Sequence, residues 1–175
     1  MPNAEFIKLM QDRIAELAVG PSAVRNQGAA GIPVAARKVL KKLDLRTFRT
    51  STEQVFQARL DSTTQRLMKK LPRGARNWGT ARKILNLFLR DALYNRFLCE
   101  HFSLRRIESW LEVPLDSFTA KGIKRDSSAT EPPRWVSIKS LTPVDSAIFQ
   151  NAASAIALQK RTARAHLDLW YWRRK

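Results

Sequence analysis

Cysteine is nearly absent from this sequence: Cys99 is the only one in 175 residues. No disulfide can form within the chain, and a reducing compartment suits it. Histidine is almost as rare, with only His101 and His166, so a Cys/His structural zinc site lacks its four ligands. Long apolar runs are missing as well. Stretches such as Ile84–Leu89 stop at a charge, here Arg90, far short of a membrane span. Met1-Pro2-Asn3-Ala4-Glu5 does not have the layout of a signal peptide. There is no Walker loop, HExxH helix, GxSxG elbow or paired-carboxylate pattern of a two-metal nuclease. Neither cofactor nor metal is expected, and the expected location is a bacterial cytoplasm or nucleoid.

Acidic residues are the other shortage. Asp and Glu number 15 against 32 Lys and Arg, which leaves a net charge of +17. Such an excess repels itself in a compact chain and is best tolerated when a polyanion neutralises it. Phosphates do this with release of counterions and without sequence selectivity. DNA is the expected partner, with RNA open. No membrane partner and no small-molecule cofactor is expected, and the protein is expected to be monomeric. Hydrophobic residues still make up 44% of the chain, enough to build a core at this length.

Apolar spacing then predicts an all-α fold, a single domain of about eight helices, with residues 1–71 forming N-terminal helices and 72–175 the remainder. Phe6, Ile7, Met10, Ile14 and Leu17 make one stripe after a capping Asn3. Ser22 to Gly31, which includes Arg25, Asn26 and Gln27, reads as a loop. Pro33 opens a helix to Leu43, and Ser51-Thr52-Glu53-Gln54 starts another to Leu71. Thr80 to Cys99 carries the widest apolar face and is the expected central helix. Ser103 is placed as the cap of a helix through Trp110. Further helices are expected over Phe118–Lys124, Thr142–Leu158 and Arg161–Trp172, with a polar loop at Lys124–Arg134. Strand patterns, heptads and internal repeats are lacking.

Three segments can carry chemistry. Leu71 to Lys83 is a Gly-punctuated basic entry to the central helix. Free amides at a helix N-terminus attract phosphate, Arg73, Arg76, Arg82 and Lys83 add charge beside Gly74 and Gly79, and Trp78 offers a stacking face. Val113 to Lys121 sets Asp116 in an apolar stretch before a helix, where an N-cap is the first reading. Ala163 to Trp172 is an aromatic segment. In it His166 reads as a hydrogen-bonded structural residue and Asp168 as the partner of a neighbouring Arg.

Two of these segments resemble the helix-hairpin-helix DNA glycosylase superfamily. Gly79-Thr80-Ala81-Arg82-Lys83 is similar to the end of the family's hairpin, with Lys83 at its lysine position. Leu115-Asp116-Ser117-Phe118 is similar to its aspartate motif, and Ala165–Trp170 to the closing helix of some members. The chain departs from the family in three ways. Leu71-Pro72-Arg73-Gly74-Ala75-Arg76-Asn77-Trp78-Gly79 stands where Leu-Pro-Gly-x-Gly is usual. Lys83 and Asp116 are 33 positions apart, which requires an inserted segment near His101 to Trp110. One cysteine cannot hold an iron–sulfur cluster.

The resemblance implies a base-excision enzyme, a glycosylase or abasic-site lyase, acting on a flipped base. Lys83 would be the nucleophile and Asp116 the stabiliser of sugar charge, with Trp78 or Trp135 stacking. Arg73, Arg76, Arg82, Lys121, Lys124 and Arg125 would grip phosphates. It also implies that Lys83 and Asp116 face each other across one cleft open to the most positive surface. The alternative is a non-catalytic basic helical subunit of a larger defence or RNA-guided nucleoprotein complex.

Overall fold

Side-chain caps set most of the helix starts. In a computed structural model describing residues 3–21, 23–24, 29–128 and 131–172, Asn3 accepts the Phe6 amide and opens α1 (Ala4–Ala18). Thr52, Asn77 and Thr142 do the same for α3 (Glu53–Lys70), α4 (Trp78–Tyr94) and α7 (Pro143–Gln159). Each such cap is worth about 1 kcal/mol. Between α1 and α3, α2 (Ile32–Leu40) begins with Pro33 in its first turn. Arg25, Asn26 and Gln27 of the expected loop lie outside the described residues.

The expected central helix is divided. Asn95 ends α4 by donating its amide to the Asp91 carbonyl, and its side chain accepts the Leu98 amide to start α5 (Arg96–Phe102). One polar residue thus closes one helix and opens the next, which apolar spacing alone does not show. Ser103 is the end of α5 and not a helix start. It sits in the left-handed region at φ 54° with no side-chain cap, and only a 3-10 turn, Leu104–Ile107, follows. The chain closes with α6 (Ser117–Asp126), a 3-10 turn at Arg164–His166 and α8 (Leu167–Trp172). The last helix therefore starts six residues later than expected. The architecture is all-α, with eight α-helices and no strand among the described residues.

Burial divides the core into two lobes. Phe48, Phe56, Leu60, Leu67, Ile84, Leu85 and Phe88 lead the first, built from α1–α5. Leu115, Ile123, Phe149, Ile156, Leu167 and Tyr171 lead the second, built from α6–α8. The apolar clusters divide between Leu111 and Val113. The extended connector there hands its backbone groups to side chains, as buried segments must. Gln150 takes the Val113 amide at 2.9 Å and donates to the Val113 carbonyl at 2.9 Å. Arg164 donates to the Leu111 and Trp110 carbonyls at 3.0 and 2.8 Å.

The residue between the lobes, Glu112, is a buried anion. Its carboxylate accepts Arg82 Nε and Nη2 from α4, both at 2.8 Å, and Asn86 Nδ2 at 2.9 Å. Arg82 also donates to Thr64 Oγ1 at 2.9 Å. A second brace runs from His166, which meets Glu108 at 3.0 Å and Tyr94 on its other ring nitrogen. These polar contacts hold α4 against the second lobe and fix the cleft between them.

Candidate functional site

Positions 83, 87 and 90 lie on one face of α4, at i, i+4 and i+7. That face turns toward the seam between the lobes. There Lys83, Leu87 and Arg90 line a cavity of about 200 Å³ together with Asp91, Asp116, Asp168 and Trp172. The volume equals several waters, the scale of a small heterocycle and not of a whole nucleotide.

Lys83 and Asp116 meet in this cavity from opposite lobes. Nζ of Lys83 lies 3.6 Å from Oδ2 of Asp116, and the Lys83 side chain is only 10% exposed. Asp116 is also the N-cap of α6, where its Oδ1 accepts the Phe118 and Thr119 amides at 2.9 and 3.0 Å. Cap and site are thus carried by different oxygens of one carboxylate: the amides hold Oδ1 in place and Oδ2 faces the lysine.

The opposite wall is a carboxylate–guanidinium cluster. Arg90 Nη1 donates to Asp168 of α8, while Nε and Nη2 bond Asp91 Oδ1 at 3.0 and 2.7 Å. Asp168 is pushed up to about 6 from the usual carboxylate value of 3.8. Burial is the main cause. Arg90 works against it, and the charges of Asp116 and Asp91 add to it. Burial also works against the charged form of Arg90, yet its two carboxylates hold its pKa above the ordinary value. Three acids and two bases line the cavity, in a chain where bases outnumber acids two to one.

The other expected site residues are placed less uniformly. Arg73 and Gly74 are exposed on a 3-10 turn, Arg73–Ala75, and exposed Arg76 donates Nε to the Leu71 carbonyl at 2.9 Å. Lys121, Lys124 and Arg125 lie on the exposed face of α6, with Arg125 held by Asp126 and Lys124 3.7 Å from Glu131. Arg82 is corrected. Its side chain is 6% exposed and occupied by Glu112 and Asp61, so it presents no guanidinium to a phosphate.

Gly79 is corrected in the same way. A Cβ there would meet the Ile138 carbonyl oxygen at 2.1 Å, so this glycine admits the 138–141 segment of the second lobe against α4. A carbonyl covers the surface that the sequence offers to an anion. Trp78 packs half-buried against the second core, with the Arg82 guanidinium 5.1 Å from its ring. Trp135 packs edge-on to Phe149 at 5.8 Å. Both rings are spent on the core and neither lines the cavity.

Sequence reasoning missed Leu87, Arg90, Asp91 and Trp172 as cavity residues. The signal for Leu87 and Arg90 was their helical spacing from Lys83. The sequence suggests a neighbouring Arg as the partner of Asp168; the Arg it meets is Arg90, 78 positions away in sequence. Among the described residues no group of three or more His, Cys, Asp and Glu side chains is arranged to hold a metal ion. Nor is any helix among them long and apolar enough to cross a membrane. Comparisons of the chain with family models, curated proteins and solved structures return no match.

Proposed function

We propose that this protein is a base-excision enzyme of the DNA glycosylase/lyase type, which binds nucleic acid through its basic surface and acts on one extruded nucleotide. One observation carries the reading: Lys83 and Asp116 converge to 3.6 Å across a small cavity at the seam of two helical lobes. An amine beside a carboxylate, withdrawn from bulk water, is the equipment this chemistry needs.

The step is a displacement at the sugar. Once the Lys83 ammonium has passed a proton to water, the freed pair on its nitrogen forms a bond to C1′ as the bond from C1′ to the base breaks, and the electron pair of that bond leaves with the base. Asp116 Oδ2 lies beside the positive charge that develops on the sugar and stabilises it. Asp168, which holds a proton below about pH 6, supplies one to the departing base. A proton then passes from the nitrogen to the ring oxygen, the bond from C1′ to that oxygen breaks as the nitrogen pair forms the C=N bond, and water hydrolyses the resulting imine.

Borohydride trapping tests the reading. The protein is incubated with duplexes carrying abasic sites or modified bases, and reduction converts an imine into a stable covalent complex. Lys83→Ala should abolish the complex. Asp116→Asn should slow its formation while keeping the helix cap, since Asn caps nearly as well as Asp. Trapping and cleavage unchanged in both variants would refute the assignment. A second reading has support in Asp116 itself, whose oxygens are both occupied within the protein. A purely binding subunit would show a steep salt dependence of DNA affinity and no product on any substrate.

A further inference from the structure

A groove between α2 and α3 lies in the first lobe, outside the cleft described above. Its volume is about 570 Å³, within the usual range of ligand sites. The floor is aliphatic, made by Ala35, Val39 and Leu43, and the walls carry Lys38, Lys42, Arg66 and Lys70. All four cations are exposed. Arg66 and Lys70 are spaced i,i+4 on α3, which sets like charges side by side and costs stability on its own, and Lys42 follows Lys38 just past the end of α2.

The chain neutralises other cations of the same region. Arg37 of α2 and Lys41 at its C-terminal cap both pair with Glu16, at 2.9 and 2.6 Å. The four groove cations make no ion pair among the described residues. Asp44, the acid at the groove, is taken by Arg46 at 2.9 and 3.1 Å and caps the turn Leu45–Phe48. The groove therefore combines an apolar floor with four uncompensated positive charges.

We propose that this groove docks an acidic amphipathic helix of a partner protein. Its aliphatic side chains would rest on Val39 and Leu43, and its carboxylates would meet Lys38, Lys42, Arg66 and Lys70. Charge complementarity selects an acidic occupant. The floor selects a peptide over a nucleic-acid strand: no aromatic side chain lines the groove, so bases find no stacking platform, and a phosphate backbone would leave the aliphatic floor in water. A helix laid in a groove uses floor and rim together. α2 is nine residues long, about 14 Å, which matches about two turns of a ligand helix and two or three apolar anchors. This inference is independent of the function proposed for the cleft.

The test uses the full-length protein and fluorescence anisotropy with a labelled helical peptide of about 15 residues, bearing Leu at i, i+4 and i+7 and Glu on the flanking positions. Binding should weaken at least roughly tenfold in Lys38→Ala/Arg66→Ala, and equally when the peptide's Leu residues become Ser. It should persist in Arg105→Ala/Lys139→Ala, which removes the same charge elsewhere. Thermal unfolding of each variant checks that the fold is kept, and the Ser peptide needs no variant at all. If the Ser peptide binds as well as the Leu peptide, or the distant variant loses as much, the contact is diffuse charge and the proposal fails. It fails too if Lys38→Ala/Arg66→Ala weakens binding of a single-stranded oligonucleotide more than binding of the peptide.

Discussion

Removing the Glu112 carboxylate should be among the costliest single changes in this protein. Glu112→Ala deletes three hydrogen bonds, two from Arg82 and one from Asn86. It leaves the Arg82 side chain, 6% exposed, with Thr64, the exposed Asp61 and the Trp78 ring face as its remaining contacts. A buried charge stripped of its counter-ion typically costs 3–5 kcal/mol, a large share of the roughly 5–15 kcal/mol available to a domain. For a chain of this length that corresponds to a fall in Tm of roughly 6–20 °C. The double replacement Arg82→Met/Glu112→Leu removes both charges and fills the same space. It should cost no more than about 2 kcal/mol, most of it from the Asn86 amide left without its partner, since the Thr64 hydroxyl keeps its bond to the Leu60 carbonyl. Urea denaturation at neutral pH of wild type, both single variants and the double gives the coupling directly. Glu112→Ala costing less than about 1 kcal/mol, or a double variant as costly as its two singles together, would refute this account of the seam. The pH dependence has a definite sign. Burial opposes ionisation of Glu112, but Arg82 and Asn86 outweigh it and hold the carboxyl below its ordinary 4.5. Its contribution is therefore complete above about pH 4.5 and lost as pH falls through the folded-state value.

Asp168 should act in the opposite direction. With its pKa up at about 6 from 3.8, the folded state binds the proton more tightly, so the ionised carboxylate costs up to about 3 kcal/mol above pH 6. Asp168→Asn should therefore gain stability over wild type as pH rises from 4 to 7, read from urea midpoints at several pH values, and a gap that stays flat with pH would sink the argument. Gly122→Ala should destabilise by about 1–3 kcal/mol, because the new Cβ would lie 2.2–2.6 Å from ring carbons of Tyr171 and push α8 off α6. A melting temperature within a degree of wild type would show that α8 is not packed this closely.

Much of the fold was legible because its signals are local. Asn3, Thr52 and Thr142 announce helices by chemistry that acts within three residues, and the apolar stripe of α4 is wide enough to mark it as central. The failures are equally physical. Asn95 interrupts an unbroken apolar pattern, and only its double use as end and start reveals the break. Arg82 and Lys83 look alike in sequence, yet one position of helical rotation sends Arg82 into the interior toward Glu112 and Lys83 into the cleft. Nothing local distinguishes them, because Glu112 and Asp116 lie some 30 positions on. Gly79 was read for what its bareness offers a phosphate, whereas the second lobe uses that bareness for itself. Asp168 needed Arg90, two lobes and a buried seam before its environment could be told from that of any helical aspartate.

The charge that dominates the composition and the charge inside the cleft have opposite tendencies, and the difference bears on the proposed reaction. Outside, Arg73, Arg76 and Lys121 are exposed, and on the proposed reading they would draw a polyanion to the surface. Inside, Asp91, Asp116 and Asp168 face only Lys83 and Arg90, and their mutual repulsion helps to raise Asp168. A phosphate entering that cavity would meet an excess of carboxylate, while a neutral or cationic group would not. On the proposed reading the duplex backbone is therefore held on the outer surface, and the extruded base is the part that the cavity admits, with C1′ of its sugar at the cavity's edge. The Asp168 carboxylate, whose ionisation destabilises the empty cleft above about pH 6, becomes favourable once positive charge develops on the sugar. A site that costs stability when empty and gains it back in the reaction is the expected signature of transition-state complementarity.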